Sequence, residues 1–255
     1  MVVYKVLKFF FKIYHFVQVE LLRIFVLCLS KKMDVSHGFE RTLIVSPHPD
    51  DEVFGCGGLM QTLIQSGKHV ELVILSRGEA VHKCCCPNEE EIIMSARAKL
   101  TDAANGILGL PVGRIHRLDF PDGDFISARN RTELFVALGK LVEDISPTTV
   151  LIPHPYENSP DHEAATNFME NILRGSSIPL CYYCVWTWYH MPMYKILRLR
   201  YKNARLLQVG DRESKNRAID IYIKNRARCG ISYSGDLPKP FIHAFRWKYE
   251  LFFLK

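Results

Sequence analysis

Residues 42–75 read TLIVSPHPDDEVFGCGGLMQTLIQSGKHVELVIL and contain the pattern that decides the fold. The apolar run over residues 42–47 predicts a buried strand. The glycine-rich stretch after it has helical spacing and ends near Gly67, and residues 70–75 predict a second buried strand. Strand, helix and strand in this order are typical of a parallel β–α–β unit.

The same alternation continues through most of the chain. The remaining predicted elements are strands over residues 114–120, 148–153 and 180–188, and helices over residues 89–108, 129–145, 160–173 and 213–228. This order predicts an α/β protein with a three-layer, Rossmann-like fold, in which helices cover both faces of a mostly parallel sheet. In such sheets the functional site lies outside the carboxyl ends of the strands, where the strand order reverses.

Charge is distributed unevenly along the 255 residues. The net charge is +6, but residues 1–32 carry +5, residues 33–194 carry −9, residues 195–228 carry +8 and residues 229–255 carry +2. The composition, 48% apolar and 24% charged, excludes a disordered or collagen-like chain. No RNA- or DNA-binding motif accompanies the basic segment, so we expect no nucleic-acid partner.

The first 35 residues predict an amphipathic helix in front of a single domain over residues 36–255. Charged residues interrupt its apolar run too often for a membrane span, which needs about 20 mainly apolar residues. Helical spacing divides it into a basic face and an apolar face. The basic face contains Lys5, Lys8, Lys12 and His15, and the apolar face contains Leu7, Phe10, Phe11, Tyr14 and Val17.

Two interpretations of this helix remain open. A basic amphipathic helix can lie on an anionic membrane surface. Alternatively, the helix packs on the domain or on a second subunit. We expect a cytoplasmic protein, with peripheral attachment to the inner face of the membrane under the first interpretation; the sequence predicts no oligomeric state.

The eight cysteines do not predict a disulfide framework, because the chain is long and carries no export signal. Cys181 and Cys184 would point to opposite faces of a predicted strand, which makes them a poor redox or metal pair. The run Cys84–Cys86, beside Pro87, has no predicted role.

Polar residues follow the first and fourth predicted strands. Residues 46–52 read SPHPDDE and residues 154–163 read HPYENSPDHE. Taken singly, each segment has an ordinary structural explanation. The acids at residues 50–52 are favoured at the N-terminus of a helix by the helix dipole, and Ser159-Pro160-Asp161 is a common helix start.

Together these residues form a more specific pattern. His48, Asp51 and His162 would converge above the sheet edge as a His₂-carboxylate set, which is typical of a catalytic zinc site. Asp50, which such a set does not need as a ligand, is then free to act as a base.

The sequence over residues 40–228 resembles that of the PIG-L/LmbE-like family. The matching segments are SPHPDDE (46–52), LSRGEA (75–80), FPDGD (120–124) and SPDHEAA (159–165). Members of the family are zinc-dependent deacetylases of N-acetylglucosamine-type sugars on lipid, thiol or glycoside carriers.

The resemblance implies a zinc ion, with Fe²⁺ as an alternative, on His48, Asp51 and His162, and Asp50 as the general base. It further implies that Arg77 and Asp122 lie near the substrate.

One position departs from the family pattern. The family usually has a histidine where Ser159 stands, held by the neighbouring aspartate, here Asp161, and a hydroxyl cannot carry a proton at neutral pH as imidazole can. His154 and Tyr156 on the same loop are candidates to replace that histidine; otherwise the enzyme is slow or inactive.

The sequence thus predicts a hydrolase that removes the N-acetyl group from an N-acetylated amino sugar on a lipid-linked or glycoconjugate carrier. The alternative is a catalytically weak or inactive, membrane-associated glycan-binding protein.

Overall fold

The centre of the protein is an eight-stranded sheet. The computed structural model describes the backbone of residues 2–255 and the side chains of residues 10–127, 130–192 and 194–255. The strands are β1 (Lys31–Lys32), β2 (Arg41–Ser46), β3 (His69–Ser76), β4 (Ile115–Phe120), β5 (Thr149–Pro153), β6 (Leu180–Tyr183), β7 (Ala204–Gln208) and β8 (Tyr249–Leu254). They are ordered β1-β7-β8-β6-β5-β2-β3-β4. Strand β8 runs antiparallel to β6 and β7, and the other neighbours are parallel.

Helices cover both faces of this sheet, so the predicted α/β fold is confirmed. The helices are α1 (Val2–Leu29), α2 (Asp51–Gln65), α3 (Glu90–Ile107), α4 (Ala128–Ile145), α5 (Pro160–Ile172), α6 (Thr187–His190), α7 (Met193–Ile196), α8 (Arg212–Lys224) and α9 (Lys239–Phe245).

Strand β2 occupies the position that creates the site. It pairs with β3 on one side and with β5 on the other, so the chain changes direction across the sheet at this strand. The loops after β2 and β5 therefore leave the same edge of the sheet side by side, at the switch point where ligands of open parallel sheets bind.

Two glycines of α2 permit close packing of this helix. A Cβ atom on Gly55 would overlap the ring of Tyr183, and one on Gly58 would lie 2.8 Å from the Val209 side chain. Only residues without a side chain let the helix approach the sheet this closely.

The fifth predicted strand is shorter than expected. Strand β6 ends at Tyr183 instead of continuing to Trp188, and residues 187–190 form a helical turn. The cause is the buried carboxylate of Glu157, which accepts the backbone N–H groups of residues 185, 186 and 187 and so removes them from the sheet ladder.

Helix α1 packs against the rest of the protein through its second half. Val19, Leu22 and Val26 are fully buried in the main hydrophobic core. The Gln18 side chain donates to the carbonyl oxygens of Tyr189 and Met191, at 3.0 and 2.7 Å. The boundary predicted at residue 35 remains a prediction, although β1, which precedes it, already belongs to the sheet.

Among its described residues, α1 departs from the predicted faces at His15. His15, expected on a basic face, is buried and stacks on Tyr189 with ring centroids 3.9 Å apart; burial lowers its pKa, which favours the neutral ring. Lys5, Leu7 and Lys8 lie outside the residues whose side chains are described. The exposed face is largely apolar and includes Phe10, Ile13, Tyr14, Val17, Ile24 and Leu27. Among the described residues, no helix combines the length and the apolar character needed to cross a membrane.

The packing of α1 can be tested by matched truncations on its two faces. Leu22 is fully buried and Leu27 is half exposed. We expect Leu22→Ala to reduce the free energy of unfolding by about 2–5 kcal/mol, because it leaves a cavity in the core. Leu27→Ala should change it by no more than about 0.5 kcal/mol. Denaturant unfolding of both variants measures this, and equal stabilities would contradict the packing.

Candidate metal centre and active site

Three potential metal ligands from the two loops face one another at nearly equal distances. They are Nδ1 of His48, which follows β2, Oδ2 of Asp51 at the start of α2, and Nε2 of His162 in the first turn of α5. Each pair of these atoms is 3.2 Å apart. A tetrahedral site with metal–ligand bonds of 2.0–2.1 Å has ligand–ligand edges of about 3.3 Å. The three atoms therefore fit one face of such a site and could hold a metal ion with a fourth position open.

The charges around this triangle favour a cation. Burial alone would raise the pKa of Asp51 and favour neutral histidines, but the mutual contacts outweigh it. The nearby His162 and His48 hold the pKa of Asp51 below its usual range. Asp51 and Glu157 in turn raise the pKa of His162 to about 9 despite its burial. Without a metal ion, the carboxylate is thus balanced by a protonated ring.

A second carboxylate lies on the side of the His162 ring that faces away from Asp51. Nδ1 of His162 lies 3.4 Å from Oε2 of Glu157, and both side chains are fully buried. Glu157 is fixed by the three backbone N–H groups that terminate β6 and by the Thr187 hydroxyl. A carboxylate in this position orients a metal-binding histidine and selects its tautomer. The sequence analysis did not identify Glu157, although its place in the loop after β5 was a usable signal.

Two further carboxylates hold the other side of the His48 ring. Its Nε2 lies 3.1 Å from Oδ1 of Asp122 and 3.4 Å from Oδ2 of Asp161. Asp161 also accepts the backbone N–H of Gly123 at 2.7 Å, which ties the turn after β4 to the start of α5. Burial opposes the charge on Asp122, but its contact with His48 lowers its pKa overall.

Asp50 also lies beside the triangle and is not one of its three potential ligands. It caps α2 with a φ of 119°, a conformation that residues other than glycine rarely adopt. Burial raises the pKa of Asp50 to about 7, although Arg97, whose Nη2 lies 3.4 Å from Oδ2, opposes that shift. A carboxyl group with this pKa can both accept and release a proton near neutrality.

Arg97 supports the same loop from α3. It is buried and donates to the carbonyl oxygens of Pro49 and Tyr233, both at 2.6 Å. The sequence analysis did not name Arg97 as a site residue. The structure adds that it reaches the cavity in front of the triangle.

That cavity has a volume of about 340 Å³, within the range of small-molecule sites. Its polar lining residues are His48, Asp50, Asp51, Arg97, Asp122 and Ser234, and its apolar lining residues are Phe54, Ala80, Val81, Trp186, Leu237 and Phe241. This mixed lining suits a ligand that carries both polar and apolar groups.

Six of the ten site residues that the sequence analysis named lie together around the triangle, and the other four are Arg77, His154, Tyr156 and Ser159. The six are His48, Asp50, Asp51, Asp122, Asp161 and His162. Arg77 lines a different cavity, with its Nε 3.4 Å from Asp119 Oδ1. His154 and Tyr156 line a third cavity, where burial lowers the pKa of His154 to about 4 and its ring packs on Phe253.

Ser159 is at the N-cap of α5, as its sequence context predicts, but its side chain makes no capping hydrogen bond. It is partly buried and is not among the residues that line the His48 cavity.

Comparison with known proteins gives the same picture of the fold. The N,N′-diacetylchitobiose deacetylase from Pyrococcus horikoshii superposes with a TM-score of 0.64, covering 88% of this chain and 87% of that one at 20% identity. Similarity at this level of identity concerns the fold.

Two curated relatives align with about half of the chain. A diacetylchitobiose deacetylase of Thermococcus kodakarensis is 33% identical over 138 residues, which is 49% of this chain and 46% of that protein. A probable N-acetyl-alpha-D-glucosaminyl L-malate deacetylase 2 of Bacillus cereus is 28% identical over 130 residues, or 48% and 56% of the two chains. The aligned segments thus span about half the length of these relatives.

A family model described as PIG-L, GlcNAc-PI de-N-acetylase, matches residues 43–173. This match covers just over half of the chain and includes both loops of the triangle. The chain therefore belongs to the PIG-L family.

Proposed function

We propose that this protein is a zinc-dependent hydrolase that removes the N-acetyl group from an N-acetylated amino sugar. The observation that carries the proposal is the triangle of His48, Asp51 and His162, with a separate buried carboxylate, Asp50, lining the same cavity. The deacetylase names of the two curated relatives support the reaction type.

The donor set fits zinc. Two imidazoles and one carboxylate with a fourth position open are typical of catalytic zinc sites. When bound, zinc lowers the pKa of a water molecule toward 7 and polarises an amide carbonyl. Fe²⁺ remains an alternative metal, because imidazole and carboxylate suit it as well.

Asp50 supplies the proton transfers in this proposal. It accepts a proton from the attacking water as the new carbon–oxygen bond forms. The carbon–nitrogen bond then breaks, acetate forms, and the amine leaves with a proton. Because Asp50 lines the cavity and is not one of the three proposed ligands, it is placed to return that proton itself. This assignment removes the need for a proton donor at Ser159 or His154.

The remaining carboxylates position the reacting groups. Glu157 orients His162, and Asp122 and Asp161 together hold the His48 ring. Asp122 also lines the cavity, so we assign it contact with the sugar, whereas Arg77 faces another cavity and receives no role.

The proposal is tested by acetate release from a panel of N-acetylated sugars, nucleotide sugars and lipid-linked sugars. We expect activity to disappear with a chelator and to return with zinc. Asp50→Asn should lower kcat by about 10²–10⁴-fold, because loss of a general base costs this much. Asp236→Asn, an exposed control outside the cavity, should retain the wild-type rate. Normal turnover by Asp50→Asn would contradict its role, and turnover without metal would contradict the mechanism.

A second candidate function is favoured by Ser159, which replaces the usual histidine. The protein would then be a catalytically weak or inactive glycan-binding protein, which binds the acetylated sugar and releases no acetate. Ser159→His distinguishes the two: unchanged acetate release supports the Asp50 assignment, whereas a large gain over a nearly inactive wild type supports the binding function. Ser159→Ala provides the control for loss of the hydroxyl.

We further propose that the substrate carrier lies at an anionic membrane surface on the cytoplasmic side. The exposed apolar face of α1 supports this, as does the +8 charge of residues 195–228. Apolar side chains beside basic groups are the features that bind a helix to anionic lipid.

Vesicle sedimentation tests this location. The triple variant Ile13→Ser/Val17→Ser/Ile24→Ser removes exposed apolar side chains and leaves the buried face of α1 intact. We expect it to bind phosphatidylserine-containing vesicles at least 10-fold more weakly than the wild type, since each side chain contributes apolar burial. Acetate release from a water-soluble substrate should be unchanged. Equal vesicle binding by the two proteins would contradict the proposed surface.

A further inference from the structure

A second group of metal-binding side chains lies outside the His48 cavity. It consists of His82, Cys85, Cys86 and Cys229, which we call the thiol cluster. One potential ligand atom from each residue lies within 4.8 Å of the other three. Nδ1 of His82 is 3.3 Å from Sγ of Cys85 and 3.7 Å from Sγ of Cys229, and the two sulfur atoms are 2.9 Å apart.

Two segments that are distant in sequence form the cluster. His82 ends the 3₁₀ helix Glu79–His82, and the N–H groups of Cys85 and Cys86 both donate to its carbonyl oxygen, at 3.1 and 2.9 Å. This turn brings the imidazole and the two thiols to the same side of the chain. Cys229 approaches from the loop after α8.

The donors match the preference of zinc. Three thiolates and one imidazole form a common structural zinc set, and soft sulfur ligands select zinc over harder cations. A tetrahedral site with Zn–S bonds of 2.3 Å has sulfur–sulfur edges of about 3.8 Å and sulfur–nitrogen edges of about 3.5 Å. The two sulfur–nitrogen distances, 3.3 and 3.7 Å, lie on either side of that value, and the sulfur atoms need to separate by less than 1 Å.

We propose that the thiol cluster binds a structural zinc ion through Nδ1 of His82 and the Sγ atoms of Cys85, Cys86 and Cys229. All eight cysteines of the chain carry free thiols, so these ligands are available. Binding releases the thiol protons to solvent and involves no redox change. A disulfide between Cys85 and Cys229 would use only two of the four converging groups.

The zinc ion would stabilise two segments that line the His48 cavity. Ala80 and Val81 from the first segment line that cavity, as do Ser234 and Leu237 from the second. The local apolar packing is small: the buried members of this satellite core are Cys86, Ile93 and Ala227. A metal ion stabilises a small cluster of this kind where apolar burial cannot. This site does not depend on the proposed hydrolysis.

Metal analysis of the full-length protein, purified with zinc under reducing conditions, tests the proposal. We expect two zinc equivalents per chain in the wild type. Cys85→Ser/Cys229→Ser should lose one equivalent, whereas Cys84→Ser, an exposed neighbour outside the cluster, should lose none. His48→Ala/His162→Ala should lose the other equivalent. If the proposed active-site metal is absent, the wild type will instead hold one equivalent that only the cysteine variant loses.

Cobalt substitution of the unmodified wild type gives an answer even if the cysteine variant fails to fold. Cobalt bound by thiolates absorbs in the near ultraviolet, and the His₂-carboxylate site contains no sulfur. We expect this absorption in the wild type and in His48→Ala/His162→Ala. Its absence from cobalt-loaded wild type would overturn the proposal, as would a Cys85–Cys229 disulfide found by mass spectrometry of the freshly purified protein.

Discussion

The structure depends on a carboxylate that is buried and must be balanced by positive charge. Asp51 lies at the start of α2, 3.2 Å from one ring nitrogen of His48 and of His162. An isolated carboxylate in this position would be costly, because burial favours its neutral form. The two histidines, or a cation held between them and Asp51, remove this cost. The loops after β2 and β5 are thereby joined at the switch point of the sheet.

Surrounding carboxylates give this centre its rigidity. Glu52, the residue after Asp51, is fully buried and accepts hydrogen bonds from Asn105, Tyr222 and the backbone N–H of Asp50. It holds the turn in which Asp50 adopts its unusual backbone conformation. Glu157 and Asp161 do the same for the second loop. The negative charge of residues 33–194 is therefore partly a property of the site, where it favours a cation.

Two metal-binding clusters on one chain would serve different purposes. The His48 triangle has nitrogen and oxygen ligands at a cavity, which suits chemistry on a substrate. The thiol cluster has mainly sulfur ligands, all from the protein, which suits a closed structural site. Both lie next to the same cavity, because the segment after β3 supplies Ala80 and Val81 to its lining and His82 to the thiol cluster.

The sequence by itself determined the β–α–β order, the parallel part of the sheet and the two loops of the site. Local patterns suffice for these, since buried parallel strands are apolar runs and the carboxyl ends of such strands share one edge. The sequence did not predict β7 and β8. Strand β8 pairs antiparallel with β6 and with β7, and these partners are distant from it in sequence. The sequence did not predict the end of β6 either. The backbone N–H of Val185 donates to Glu157, which lies 28 residues earlier in the chain.

Only the tertiary structure decided which polar residues meet. Arg77 lies in the predicted site segment over residues 75–80 and Arg97 lies in none, yet Arg97 reaches the cavity from α3 and Arg77 does not. Cys229 and Cys85 are 144 residues apart and become neighbours only when α8 packs on α3. Helix α1 likewise buries the face that its tertiary partners select, so His15 is inside and apolar side chains remain outside. Contacts between residues distant in sequence arise from packing of the whole chain, which local spacing does not encode.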